Sequence, residues 1–161
     1  GGRIALLKHT EARSAALRIE GFRATIAQYP SFQIVAEEEC SGQLEIAMPV
    51  MADMLAAHPE INVVMALNDP AALGAIAALQ SAGRAPTDTM VYGVDGVPES
   101  RDLIRAGWMT ATAVQSPRSI GRMAAEQAYR ILAGEGAADV TLPTRLLTVE
   151  NVDENDGGGW D

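Results

Sequence analysis

The chain has 161 residues, of which 48% are hydrophobic and 20% are charged. This length suits a single folded domain with a sizeable core, and no apolar run approaches the ~20 residues of a membrane-spanning helix. With 21 acidic against 12 basic residues and a net charge of −9, the chain repels phosphate backbones, so nucleic acid is not an expected partner.

The first part of the chain alternates β-branched runs with helical stretches. Strands are predicted at 3–9, 32–38 and 61–67. The first helix carries an apolar face at helical spacing and ends at Pro30. The second helix, 42–58, contains Pro49, which predicts either a kink or a late start. The third strand is nearly all apolar, which is typical of a sheet covered on both faces.

The alternation continues to the end of the chain. Helices are predicted from Pro70 to Ala82, at 98–107 and from Ser119 to Ala133. Strands are predicted at 89–96, 108–115 and 144–151. Strands that alternate with helices form right-handed βαβ units. The expected fold is therefore α/β, with a three-layer parallel sheet and helices on both faces, of the flavodoxin or Rossmann-like kind.

Asn68 and Asp69 stand between the third predicted strand and the helix that starts at Pro70. Asp69, directly before a proline, is predicted to be the N-cap and to accept hydrogen bonds from the free N–H groups of the helix. One cap is enough, and a carboxamide both donates and accepts, as a hydroxyl ligand requires. Asn68 is therefore the candidate for facing a ligand.

Polar side chains also stand at other predicted strand ends, where the ligands of such sheets bind. The candidate set is Arg18, Asn68, Asp95 and Gln115. Together these groups donate and accept hydrogen bonds as a neutral polyol does. Simpler roles remain open for single members, since Arg18 would also suit a solvated surface and Asp95 a turn.

Catalytic chemistry is not indicated by the sequence. The serines have no nearby histidine in sequence, and the segment 134–136 follows a helix, so it is not a phosphate loop. Cys40 is the only cysteine, and the two histidines show no ligand spacing. We expect no enzymatic activity, no cofactor and no metal site.

Several segments resemble the type I periplasmic sugar-binding proteins of ABC transporters, nearest the ribose-binding kind. They are "RIEGFRATIAQYP", "MLAAHPEINVVMALNDPAALGAIAALQSAGR", "VYGVDGVPE", "IRAGWMTATAVQSP" and "LLTVENVDE". The resemblance covers about residues 3–153 in order. It implies a protein of two α/β lobes that close around a sugar by a hinge motion.

The resemblance implies that the chain is the C-terminal lobe of such a protein, without the N-terminal lobe. Residues 1–116 would form the lobe, and 117–143 a crossover helix and linker that packs on the other lobe. Residues 144–152 would form the last strand, returning to the hinge, and 153–161 a frayed tail. Without its partner lobe, the helix 117–133 would expose its apolar stripe at a cost of ~25 cal/mol per Å². We expect it to repack on its own sheet or on another copy, giving a homodimer.

The same resemblance implies that Arg18, Asn68, Asp95 and Gln115 are sugar contacts. Gly42 departs from the family, which usually has an aromatic residue there that stacks on the sugar, and Val94 replaces an aromatic neighbour of Asp95. These departures leave the identity of the sugar undefined. Half a cleft should bind sugar weakly or not at all.

The implied function is a solute-binding component of an ABC importer, with a sugar or related polyol as ligand and the transporter permease as partner. Its location would be periplasmic, with a signal peptide that is not in this chain. The alternative is the effector-sensing domain of a lac-repressor-type transcription regulator, which shares the fold. The ending "TVENVD" and Gln115 favour the transport protein. A small α/β enzyme is the third interpretation.

Overall fold

A computed structural model describes residues 1–154 of the chain. The strands of this part are β1 (Arg3–Lys8), β2 (Gln33–Glu39), β3 (Val63–Ala66), β4 (Met90–Asp95), β5 (Ala111–Val114) and β6 (Arg145–Thr148). The helices are α1 (Arg13–Ile26), α2 (Leu44–Ala57), α3 (Asp69–Ser81), α4 (Pro98–Arg105) and α5 (Pro117–Leu132). All the predicted elements are present in the predicted order, with ends that differ by a few residues.

The strands form one sheet in the order β2-β1-β3-β4-β5-β6. The pairs from β2 to β5 are parallel, whereas β6 lies antiparallel to β5. The expectation of a parallel sheet is therefore correct for β1 to β5 and wrong for the edge strand β6. Arg145 pairs with Val114, so the chain leaves and returns at the same end of the sheet. A strand that returns in this way runs antiparallel to the one it left.

Helices lie on both faces of the sheet. The connection from β1 to β2 runs in the opposite direction to the later crossovers, so right-handed crossovers place α1 on the face opposite α2 and α3. Helices α2 and α3 pack closely at Gly74, where an added Cβ would lie 2.6 Å from the carbonyl oxygen of Leu44. Helix α2 begins at Leu44, ahead of Pro49, so the predicted late start is wrong. A proline in the second turn removes a single intrahelical hydrogen bond, which the packing of α2 tolerates.

Strands β1 and β3 form the centre of the core. Ile4, Leu6 and Leu7 are completely buried, as is Val64 of β3. The core extends to the edge of the sheet, because Leu147 of β6 is also completely buried. The end of each central strand is therefore held on both faces, and the polar residues that follow it have fixed positions.

Helix α5 has no buried residue. Ile120, Ile131 and Leu132 are 46%, 56% and 88% exposed. The expectation that this helix repacks on its own sheet is therefore wrong. Of the tail predicted to fray, Asp153 accepts a hydrogen bond from Nε of Arg105 at 2.9 Å, whereas 155–161 lie outside the described residues.

Candidate functional site

The four predicted site residues lie at the carboxyl ends of the parallel strands. Asn68 follows β3, Asp95 ends β4 and Gln115 follows β5. Arg18, in the second turn of α1, reaches the same edge and donates from Nη1 to the carbonyl oxygen of Leu67 at 2.9 Å. Residues that are far apart in the sequence thus meet at one rim of the sheet.

Asp95 is the centre of a hydrogen-bonded cluster. Its Oδ1 accepts a hydrogen bond from Nε2 of Gln115 at 2.5 Å and lies 3.4 Å from Nη2 of Arg18. The side chains of Arg18 and Asp95 are 23% and 21% exposed, so both remain accessible from the rim. Burial raises the pKa of Asp95, while the hydrogen bond from Gln115 and the positive charge of Arg18 oppose this shift. The cluster pairs one cation with one anion and offers both donors and acceptors.

Asn68 has a structural role that the sequence assigned to Asp69. Its Oδ1 accepts a hydrogen bond from the backbone N–H of Ala71 at 3.0 Å, which makes Asn68 the N-cap of α3. Its Nδ2 donates to the carbonyl oxygen of Gly42 at 3.1 Å. Asn68 is half-buried beside the cluster, and the second N–H of its amide has no partner among residues 1–154.

Asp69 is not the cap of α3, so its predicted role is wrong. Its side chain is completely buried, and its Oδ2 accepts hydrogen bonds from the backbone N–H groups of Gly96 at 2.8 Å and Val97 at 2.9 Å. Its Oδ1 accepts a hydrogen bond from the hydroxyl of Thr112 at 2.7 Å. These donors are 27 to 43 residues away in the sequence, so local pattern gives no signal for them.

The backbone at the end of β4 is unusual. Asp95 has a φ of +128° and Gly96 a φ of +79°. A Cβ on Gly96 would lie 2.8 Å from the side chain of Val114, so glycine is needed there for space as well as for conformation. Asp95 is not a glycine and is therefore strained, a condition that occurs mainly at functional sites.

Two positions that lack an aromatic residue also lie at this rim. Gly42 has a φ of +67°, and a Cβ there would stand 2.9 Å from Nδ2 of Asn68. Val94 is 8% exposed and belongs to the core. Neither residue supplies a surface on which a sugar ring could stack, so the groups described at this rim are hydrogen-bonding ones.

Two features are absent from the described residues. Within residues 1–154, no group of three or more His, Cys, Asp and Glu side chains is arranged to hold a metal ion. In the same part of the chain, none of the helices combines the length and apolar character needed to cross a membrane.

A parallel sheet with hydrogen-bonding side chains along its carboxyl rim is characteristic of α/β proteins that bind small ligands. A sequence profile of the periplasmic binding protein domain matches residues 1–136, and the chain belongs to this family. The predicted resemblance is thereby confirmed for the family and the fold.

Named relatives agree with this assignment. The ribose import binding protein of Salmonella typhimurium is 38% identical over 136 residues, which are 84% of this chain and 45% of that protein. A Caulobacter myo-inositol binding protein, solved with myo-inositol, superposes with a TM-score of 0.90 at 30% identity, covering 98% of this chain and 55% of that one. A solute-binding protein of Actinobacillus succinogenes, solved with D-allose, gives 0.90 at 28% identity, covering 96% and 55%. The chain spans about half the length of these relatives.

Proposed function

We propose that the chain is one lobe of the solute-binding component of an ABC importer, and that its ligand is a neutral sugar or related polyol. Arg18, Asn68, Asp95 and Gln115 contact the hydroxyl groups of this ligand. The contact of Arg18 and Gln115 with one oxygen of Asp95 is the observation that carries the proposal.

The charge of the cluster favours a neutral ligand. The guanidinium of Arg18 lies beside the carboxylate of Asp95, so neither is left to attract a charged group. A hydroxyl that enters between them accepts from Arg18 and donates to Asp95 at the same time. The amide of Asn68 supplies a further donor at the same rim.

The proposed architecture follows from the lack of burial on α5. In this proposal residues 1–116 are the C-terminal lobe, and 117–143 cross to a second lobe, which covers the apolar stripe of α5. Residues 144–152 return to the sheet as β6. The site then becomes a cleft between lobes, and the protein delivers its ligand to a permease from the periplasm. An isolated chain covers α5 with a second copy of itself.

Titration calorimetry tests the ligand class. The complete gene product that contains this chain is titrated with D-ribose, D-allose and myo-inositol. Arg18→Ala and Asp95→Ala should abolish the binding of the best ligand. Arg23→Ala is the matched control, because Arg23 lies on the same helix but pairs with Glu37 away from the rim. Binding that survives both site substitutions would show that the site is wrong, and a lack of binding to the whole panel would count against the ligand class.

A further inference from the structure

We infer that Asp69 is a positioning residue of the ligand site, whose buried carboxylate holds the loop after β4 so that Asp95 faces Arg18 and Gln115. This inference rests on the proposed function for its ligand readout. The side chain of Asp69 makes none of its hydrogen bonds to these three side chains. The backbone N–H of Asp69 interacts with the Asp95 carboxylate, so the effect of Asp69 on the ligand passes through Asp95.

The carboxylate of Asp69 joins three elements. It extends from the start of α3, accepts from both backbone N–H groups of the loop at Gly96 and Val97, and accepts from Thr112 of β5. Asp69 and Thr112 are both completely buried. A buried carboxylate is stable only when it is fully hydrogen-bonded, so its donors are held firmly in return.

The residue next to these donors is Asp95, and its backbone depends on them. A φ of +128° is unfavourable for an aspartate and persists only where the surroundings enforce it. The N–H groups that follow Asp95 directly are the ones that Asp69 binds. Without this anchor the loop can relax to ordinary backbone angles, which turns the Asp95 carboxylate away from Gln115.

The surrounding structure is shaped for this carboxylate. A Cβ on Gly93 of β4 would lie 2.3 Å from Oδ1 of Asp69, so the carboxylate occupies space that only glycine leaves free. Helix capping does not explain Asp69, because Asn68 already accepts the N–H of Ala71. Anchoring of the loop remains as the role of its buried oxygens.

Hydrogen exchange measured by NMR tests the anchor without any ligand. In Asp69→Ala, the backbone amides of Gly96 and Val97 and the side-chain amide of Gln115 should exchange faster. The amide of Ala72, which bonds to the carbonyl oxygen of Asn68, should not change. Asp88→Ala is the matched control, since Asp88 accepts the backbone N–H of Ala85 at the other end of β4. Unchanged exchange at Gln115 in Asp69→Ala would overturn the inference.

Ligand affinities of single and double variants, measured in the complete gene product, test the consequence for the ligand. Asp69→Ala should weaken the binding of the best sugar of the panel by about tenfold or more, as the loss of a residue that orients a metal ligand does for metal binding. Asp69→Asn, which keeps an oxygen for the loop, should restore most of the affinity. In a Gln115→Ala background, which removes the partner that Asp95 is held against, Asp69→Ala should cause a smaller loss than in the wild-type protein. A loss as large as in the wild-type protein would show a general structural role and refute positioning.

Two outcomes of these experiments lead to different conclusions. If Asp69→Ala does not fold, Thr112→Val removes one donor from the carboxylate and should still speed exchange at Val97, whose N–H donates to Asp69. Gly96 is not the readout for this variant, because its N–H also donates to the Thr112 hydroxyl at 3.3 Å. Unchanged exchange at Val97 would contradict the inference. If no sugar of the panel binds, the proposed function fails, while the exchange experiment still decides whether Asp69 anchors the loop.

Discussion

Asn68 and Asp69 are neighbours with opposite surroundings. Asn68 is half-buried at the rim and caps α3, whereas Asp69 turns into the core and accepts from Gly96, Val97 and Thr112. Both side chains are suited to capping, so sequence could identify the position but not the residue. The donors that decide the matter come from β5 and from the loop after β4, and only the folded sheet brings them to Asp69.

Substitution of Asn68 separates its two roles. Asn68→Ala removes the cap and should lower the free energy of unfolding by ~1 kcal/mol. Asn68→Asp keeps an oxygen for Ala71, so the cap on α3 is retained. It loses the N–H that donates to Gly42 as well as the N–H that the ligand would use, so sugar affinity should fall by more than stability does. Thermal unfolding and calorimetry of the complete gene product measure the two effects. Gln28→Ala, at an exposed position two residues after the end of α1, should change neither. An Asn68→Asp variant with full affinity would exclude Asn68 from the site.

The raised pKa of Asp95 predicts a dependence of stability on pH. Burial, opposed by Gln115 and Arg18, lifts this pKa above its ordinary value of 3.8. The folded state therefore holds the proton more tightly than the unfolded state does. The stability from this proton is fully present below the ordinary pKa and is lost as pH rises through the raised one. Relative to Asp95→Asn, the wild-type chain should lose stability from acid pH towards neutrality, as measured by urea unfolding.

Glu37 should show the opposite dependence of stability on pH in the same urea-unfolding measurement. The hydrogen bond from Arg23, helped by the charges of Arg23 and Lys8, lowers the pKa of Glu37 even though slight burial opposes this. Its contribution to stability is present above the ordinary pKa and is lost as pH falls through the lowered one. Relative to Glu37→Gln, the wild-type chain should gain stability as pH rises. Equal slopes for the two variants would show that Asp95 is not perturbed as described.

At the scale of elements, periodicity carries most of the information. The unbroken apolar run of β3 and the apolar stripe of α5 are local features, so both elements could be predicted from sequence. The direction of β6 could not, because it depends on where the chain returns to the sheet after α5. The span 42–58 predicted for α2 is close to the observed Leu44–Ala57, and only the alternative of a late start at Pro49 was wrong, because the packing of α2 on α3 outweighs the presence of the proline.

The contact between α2 and α3 predicts the effect of a larger residue at Gly74. Alanine is the better helix former by ~1 kcal/mol. However, its Cβ would lie 2.6 Å from the carbonyl oxygen of Leu44 and 2.9 Å from Cβ of Ala47. Gly74→Ala should therefore force the helices apart and lower the free energy of unfolding by roughly 1–3 kcal/mol.

Gly121 in α5 is the matched control for this experiment. A Cβ at Gly121 meets nothing within 4 Å, so Gly121→Ala should stabilise its helix. Chemical denaturation of both variants, followed by circular dichroism, gives the comparison. A Gly74→Ala variant as stable as the wild-type chain would show that α2 and α3 are not in close contact.

At the scale of the whole molecule, the sheet and α5 differ in how completely they are packed. Strands β1 and β3 lie in a closed core, whereas α5 presents an apolar stripe to solvent along with the segment 138–142 beside it. The backbone N–H of Ala138 donates to Oε1 of Gln127 at 3.0 Å, so the segment 138–142 lies alongside α5. In the complete two-lobe protein of our proposal, this surface lies between the lobes and the ligand cleft opens beside it.

Self-association of the isolated chain tests whether α5 needs a partner. Ile120 and Ile131 lie on one side of the helix and are about half exposed, and exposed apolar area is unfavourable in water. The 161-residue chain should therefore form a dimer that dissociates on dilution, as measured by light scattering and sedimentation. Replacing Ile120 and Ile131 with lysine should give a monomer without loss of thermal stability, because neither residue is buried in the single chain. Leu17→Lys, at an equally exposed leucine of α1, should leave the dimer intact. A wild-type chain that stays monomeric at high concentration would contradict the prediction, because α5 would then be stable in water without a partner.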